Sequence, residues 1–189
     1  MSELVVIFHT PSEIEANVIR GLLEAHGIPI ISFGFFLGEG SPAVWRGPMV
    51  SKAVKQFVRG VAWPDVDVLV VDLPPGTGDV PLSLAQSVSL SGAVIVTQPS
   101  RVSLAEAQKA AGMFQSLDVP VLGVVENMCG TFGHGAGRTV AASLGIPFLG
   151  EIQFDETVIA EGDAGIPTVI ARPDSAAALS FNHVARGVA

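Results

Sequence analysis

Lysine is scarce in this 189-residue chain, which has only Lys52, Lys55 and Lys109. They follow Ser51, Val54 and Gln108, so none follows a glycine. That excludes the loop G-x-x-x-x-G-K-[ST], whose amides and lysine cradle a nucleotide's phosphates. Charge is sparse too, at 15% of residues with a net of −8, and no Lys/Arg cluster exists. A nucleic-acid partner is therefore not expected, because phosphate contacts need clustered cations. No apolar run approaches the ~20 residues of a membrane span, and no basic segment precedes a signal-type apolar stretch. The expectation is a cytoplasmic protein with no membrane contact. The single cysteine, Cys129, rules out an internal disulfide and fits a reducing compartment.

What the chain does have is apolar substance, 49% of its residues, which excludes disorder. Its most informative stretch is Val66–Asp79, V-D-V-L-V-V-D-L-P-P-G-T-G-D. An apolar run that ends in an acid and a Pro/Gly turn is how a buried parallel strand delivers a carboxylate to the mouth of a sheet. In a phosphate-binding α/β protein, Asp72 would order Mg²⁺-bound water, and the Gly76–Gly78 loop would approach a γ-phosphate. One half of a nucleotide site is written here and the other half is missing.

The flanking pattern predicts alternating elements. Leu4–Phe8 reads as a strand, and Ser12 with Glu15 is a capping-box spacing that opens a helix ending at Gly27. Ile28–Phe33 is a second strand, which makes residues 3–33 a compact βαβ unit or half of a small α+β domain. A helix is predicted after Trp45-Arg46-Gly47-Pro48, with Met49, Ala53, Phe57 and Val61 on one face. Strands follow at Val66–Val71, Ala93–Thr97, Val119–Val125 and Pro147–Gly150. Helices are expected at Pro81–Leu90, from Ser103 (capped with Glu106) to Leu117, at Ala136–Leu144 and at Ser175–Val188. Strands alternating with helices predict a mostly parallel, doubly wound α/β sheet.

From about Ile31 onward the chain resembles the Mrp-type iron–sulfur carrier proteins, which are MinD/ParA-like deviant P-loop NTPases. The residues that carry the resemblance are S-F-G-F-F-L (Ser32–Leu37), V-W-R-G-P-M-V (Val44–Val50), V-V-D-L-P-P-G-T-G-D (Val70–Asp79), A-V-I-V-T-Q-P (Ala93–Pro99), G-V-V-E-N-M (Gly123–Met128), F-G-H-G-A-G (Phe132–Gly137) and G-I-P-F-L-G-E-I (Gly145–Ile152). The resemblance implies a P-loop NTPase fold lacking its P-loop, here in residues 31–189. Residues 1–30 resemble instead the start of a short domain of signal-transducing type, so the chain reads as a natural or engineered chimera joined near Pro29–Phe33.

The resemblance implies ATP with Mg²⁺ and an iron–sulfur cluster as cofactors. It assigns Asp72 to catalysis and to Mg²⁺ through water, Gly76, Gly78 and Asp79 to the phosphate-sensing switch, and Asn127 to the adenine. It also implies iron–sulfur client proteins and a homodimer, which the apolar composition favours as well. Three departures stand against the full activity. The Gly-Lys loop is absent. The usual C-x-x-C between the E-N-M and F-G-x-G-G-G segments is replaced by N-M-C-G-T-F-G, leaving Cys129 alone. Gln153 stands where a proline usually frames the adenine.

Competing readings remain for single residues. Asn127 is either an adenine reader or an Asx-turn residue. Gly133–Gly137, ahead of a helix, is either an anion site at the helix N-terminus or a packing device. Cys129 is either an iron–sulfur or metal ligand, supplemented by His134, or a free, loop-exposed thiol. The expected function is accordingly a binding or scaffold module without ATP hydrolysis. Its rivals are a carrier ATPase completed by a partner chain, and a recombinant fold with no evolved function.

Overall fold

In the computed structural model the described residues are 47–63, 65, 67–73 and 76–188. The expectations for Leu4–Phe8, the Ser12 helix, Ile28–Phe33 and the junction at Pro29–Phe33 lie outside them. The chain divides into two compact units, residues 1–91 and 92–189.

The first unit contributes helix α1 (Gly47–Gly60) and helix α2 (Asp79–Ala85). In α1, Val54 is buried and Ala53 and Phe57 are half-buried, as the helical spacing predicts, but Met49 is exposed. The helix stops at Gly60, one residue short of Val61. Below it the Trp63 indole N–H donates to the Phe57 carbonyl at 3.0 Å. Leu84 and Pro81 of α2 are buried, and the Arg59 guanidinium donates to the Ser87 carbonyl. The segment expected as strand Val66–Val71 makes single bridges at Val68 and Val71 among its described residues. Asp65 and Asp67 sit exposed where an apolar run would need burial, and Val68 is exposed beside them.

The second unit is a three-stranded parallel sheet, β1 (Ala93–Thr97), β2 (Val121–Cys129) and β3 (Phe148–Gln153), in that order. Helix α3 (Arg101–Ser116) joins β1 to β2, and helix α4 (Ala136–Leu144) joins β2 to β3. The cap of α3 lies earlier than Ser103: the Ser100 hydroxyl accepts from the Ser103 N–H at 3.1 Å. Two helices that periodicity did not reveal follow β3: α5 (Glu156–Asp163) and the short α6 (Thr168–Ala171), before the closing α7 (Ala176–Val188).

The first two are fixed by polar contacts rather than an apolar stripe. Asp155 caps α5 by accepting from the Thr157 N–H at 2.8 Å, and Arg172 reaches both Asp155 and Glu161. Thr157 first, then Arg172, hold the Asp155 carboxyl below its usual range, and Arg172 does the same for Glu161.

Successive residues of a strand face opposite sides of the sheet. Val125, Leu149 and Ile152 pack with Phe181, Val184 and Val188 of α7. Glu126, the next residue along β2, meets the start of α4 instead. Helices therefore cover both faces, as a doubly wound parallel sheet requires.

Gly123 shows how closely β2 and β3 approach. A Cβ there would lie 2.6 Å from Leu149 Cγ and 2.8 Å from the Pro147 carbonyl oxygen. Backbone cannot step aside as a side chain does, so Gly123→Ala is expected to cost about 1–3 kcal/mol. A thermal melt checks it, with an expected fall of about 2–4 °C per kcal/mol for a chain of this size. An unchanged melting temperature would show that the strands part freely at Pro147.

Candidate functional site

Asp72 is exposed, and so are Gly76, Thr77, Gly78 and Asp79. Gly76 has φ +91°, a left-handed conformation that L side chains rarely adopt. Gly78 precedes α2 with extended backbone and offers no side-chain cap. Asp79 fills the first turn of that seven-residue helix, where a carboxylate suits the helix dipole. All four predicted residues are thus exposed residues of the first unit. Asn127 and Cys129 belong to the second.

The second unit departs from expectation at the end of β2. The strand does not stop at Val125 but continues to Cys129, so E-N-M-C is strand rather than loop. Its continuation is irregular: the β2–β3 register shifts between Glu126 and Cys129, and Met128 has φ +59°. Glu126 is 0% exposed. A buried carboxylate needs partners, and this one has three. It accepts from the Gly135 N–H at 2.8 Å, from the Gly137 N–H, and from the Cys129 thiol at 3.4 Å.

Glu126 thereby settles the reading of Gly133–Gly137. The N-terminus of α4 begins at Gly135, φ +89°, with no side-chain cap of its own. An internal carboxylate from β2 takes its amides, so this end of the helix already holds its anion. Arg138 does not face an anion either, since its guanidinium carbon stands 4.4 Å over the Phe148 ring. Sequence reasoning missed Glu126. Its signal was an acid placed inside a buried-type strand, ahead of a glycine run.

Asn127 is half-buried, and its side-chain oxygen accepts from the Met128 N–H at 2.9 Å, a local turn-type contact. Gln153 is exposed and its amide reaches Glu151 at 3.4 Å.

Cys129 corrects the expectation of a loop-exposed thiol, for it is 1% exposed. Burial first, then the hydrogen bond to Glu126 and the negative charge of Glu126 and Glu151, push its pKa up to about 12. Beyond it the chain turns back sharply. Gly130 and Gly133 exchange N–H···O=C bonds of 3.0 and 3.2 Å, with φ of +101° and +104°. This clasp returns His134 toward the strand ends. The ligand-type atoms of Cys129, His134 and Glu151 come within 4.8 Å of one another. His134 is exposed and Glu151 half-buried, so the group has a wall on one side and solvent on the other.

The parallel sheet covered on both faces, with glycine turns at its strand ends, places the molecule in the α/β class of P-loop NTPase folds. It is similar to the MinD septum-site protein of Pyrococcus horikoshii, with a TM-score of 0.58 over 76% of this chain and 56% of that one at 24% identity, a likeness of fold alone. A nucleotide-binding protein of Archaeoglobus fulgidus, solved in complex with ADP, shares 28% identity with a TM-score of 0.67, covering 95% of this chain and 78% of that one.

The family profile described as ParA, NUBPL iron-transfer P-loop NTPase, matches residues 6–189, and the chain belongs to that family. An iron–sulfur cluster carrier protein of Deinococcus radiodurans is 46% identical over 94% of this chain and 54% of its own length. The chain spans about half the length of the curated relatives it matches, 54%, 48% and 48% in three bacterial carriers. The family match begins at residue 6, ahead of Pro29–Phe33. Among the described residues no helix is long and apolar enough to cross a membrane.

Proposed function

We propose that this polypeptide serves as a protein-binding module of the iron–sulfur carrier lineage and does not hold or hydrolyse ATP by itself. The observation that carries this reading is an acid and a switch loop without a phosphate cradle: Asp72 and Gly76–Asp79 are present and exposed, while no lysine in the sequence follows a glycine. The lysine and cradle amides each supply charge-assisted hydrogen bonds of about 1.5–3 kcal/mol. Losing two of them weakens binding by roughly a hundredfold or more.

An iron–sulfur cluster held by this sequence's own cysteines does not fit either. Such clusters take about four thiolates, and each chain offers one, buried against Glu126. The partners that suit the module are a second copy of the chain and iron–sulfur client proteins of the kind its relatives carry clusters to.

Calorimetric titration with ATP and Mg²⁺ is the test. The expected result is no binding at micromolar nucleotide, unchanged in Asp72→Ala. Micromolar binding that needs Mg²⁺ and disappears in Asp72→Ala would overturn the reading. A second reading is favoured by the open face of Asp72, Gly76, Gly78 and Asp79: another chain supplies the Gly-Lys loop, and hydrolysis appears only in that mixture.

A further inference from the structure

The geometry points to a site for a single divalent transition-metal cation of the Zn²⁺ type, held within one chain by Cys129, His134 and Glu151. A thiolate, an imidazole and a carboxylate are the three donor types that such a cation accepts. Here they come from three places in the fold: the end of β2, the turn after it, and β3. The proposal stands apart from the nucleotide and cluster readings, since it needs neither a phosphate loop nor a second cysteine.

The convergence is built rather than incidental. Cys129 is anchored in the strand at 1% exposure. His134 is bracketed by two fixed residues, Gly133 in its reciprocal pairing with Gly130 and Gly135 with its N–H on Glu126. Glu151 sits on β3, two residues before Gln153, the register partner of Cys129.

The atoms lie within 4.8 Å of one another. Tetrahedral geometry with bonds of about 2.0–2.3 Å asks for separations of roughly 3.4–3.7 Å. The remaining contraction of about 1 Å falls to the exposed imidazole and the half-buried carboxylate, while the sulfur stays put. Solvent reaches the site from the His134 side, which provides both an entry path and a fourth position for water.

The chemistry balances with one proton. The Cys129 S–H bond breaks as the sulfur–metal bond forms, and the proton leaves to solvent. His134 binds as neutral imidazole and Glu151 as carboxylate, so no oxidant or reductant is involved. Glu126, which accepts from the thiol in the metal-free state, would face a neutralised sulfur instead of a bare thiolate.

Cobalt(II) titration of the whole chain, without competing thiols, tests this. The expected result is one Co²⁺ per chain, with a near-ultraviolet sulfur-to-cobalt charge-transfer band and visible bands of four-coordinate intensity. Zn²⁺ should bleach both. Cys129→Ser should remove the charge-transfer band, while His134→Ala and Glu151→Gln should each weaken binding by on the order of tenfold or more. The latter two variants change an exposed and a half-buried residue, so they remain informative if Cys129→Ser does not fold. Absence of the thiolate band at saturating Co²⁺ in folded protein overturns the proposal. So does one metal per two chains, or binding that ignores both His134→Ala and Glu151→Gln.

Discussion

Glu126→Ala should lower the melting temperature of this protein by roughly 5–20 °C. The substitution removes the acceptor of the Gly135 and Gly137 amides and leaves the Cys129 thiol facing a void. A buried donor left without an acceptor costs about 1–3 kcal/mol, so two cost about 2–6 kcal/mol. In a chain of this length each kcal/mol is worth about 2–4 °C.

Water cannot readily replace the carboxylate. Gly137 is buried so tightly that a Cβ added there would meet Glu126 Cβ at 2.9 Å and a Phe148 ring carbon at 3.0 Å. Glu126→Gln is the informative partner: it preserves size and one acceptor oxygen but presents an N–H₂ to the second amide. It should therefore fall between wild type and alanine. Differential scanning calorimetry of the three proteins checks the order, and an alanine variant that melts with wild type would remove Glu126 from its role as the cap of α4.

The second large effect concerns Cys129. In the native protein at neutral pH its alkylation by iodoacetamide should run about a thousandfold slower than that of an unfolded-chain thiol. The thiolate is the nucleophile, and a pKa pushed from 9.0 to about 12 leaves about a thousandth as much of it. Burial slows the reaction further. The pH dependence has a definite sign. Because the folded-state pKa is raised, the neutral thiol's contribution to stability is complete below pH 9.0 and is lost as the pH climbs toward about 12. Native and guanidinium-unfolded samples labelled side by side across this range provide the measurement. Equal rate constants would mean that the thiol is neither buried nor held by Glu126.

Where local pattern and tertiary need agree, the elements were readable from sequence. Ala93–Thr97 and Ala136–Leu144 form with the expected bounds, because an apolar run between turn residues and a helix closed by Gly145 each specify themselves. The family was readable through the specific runs W-R-G-P-M and D-L-P-P-G-T-G-D.

The end of β2 was not readable. Glu126 and Asn127 look like a strand's polar exit, and only the amides of a distant glycine run make a carboxylate acceptable inside the sheet. The exposed thiol failed for the same reason, since burial of Cys129 follows from the extra four residues of strand. Helices α5 and α6 escaped because Asp155, Glu161, Thr168 and Arg172 hold them by hydrogen bonds, which leave no hydrophobic period in the sequence.

The Gly130–Gly133 clasp has a practical corollary for engineering. Its two amide–carbonyl bonds tie the ends of the turn together, and Thr131 and Phe132 between them are exposed. Closing a longer surface loop costs only about 0.6 kcal/mol per doubling of its length. Extra residues grafted between the two glycines would thus be carried outside the sheet, which makes this corner a natural port for inserting a peptide tag or a ligand-bearing tract.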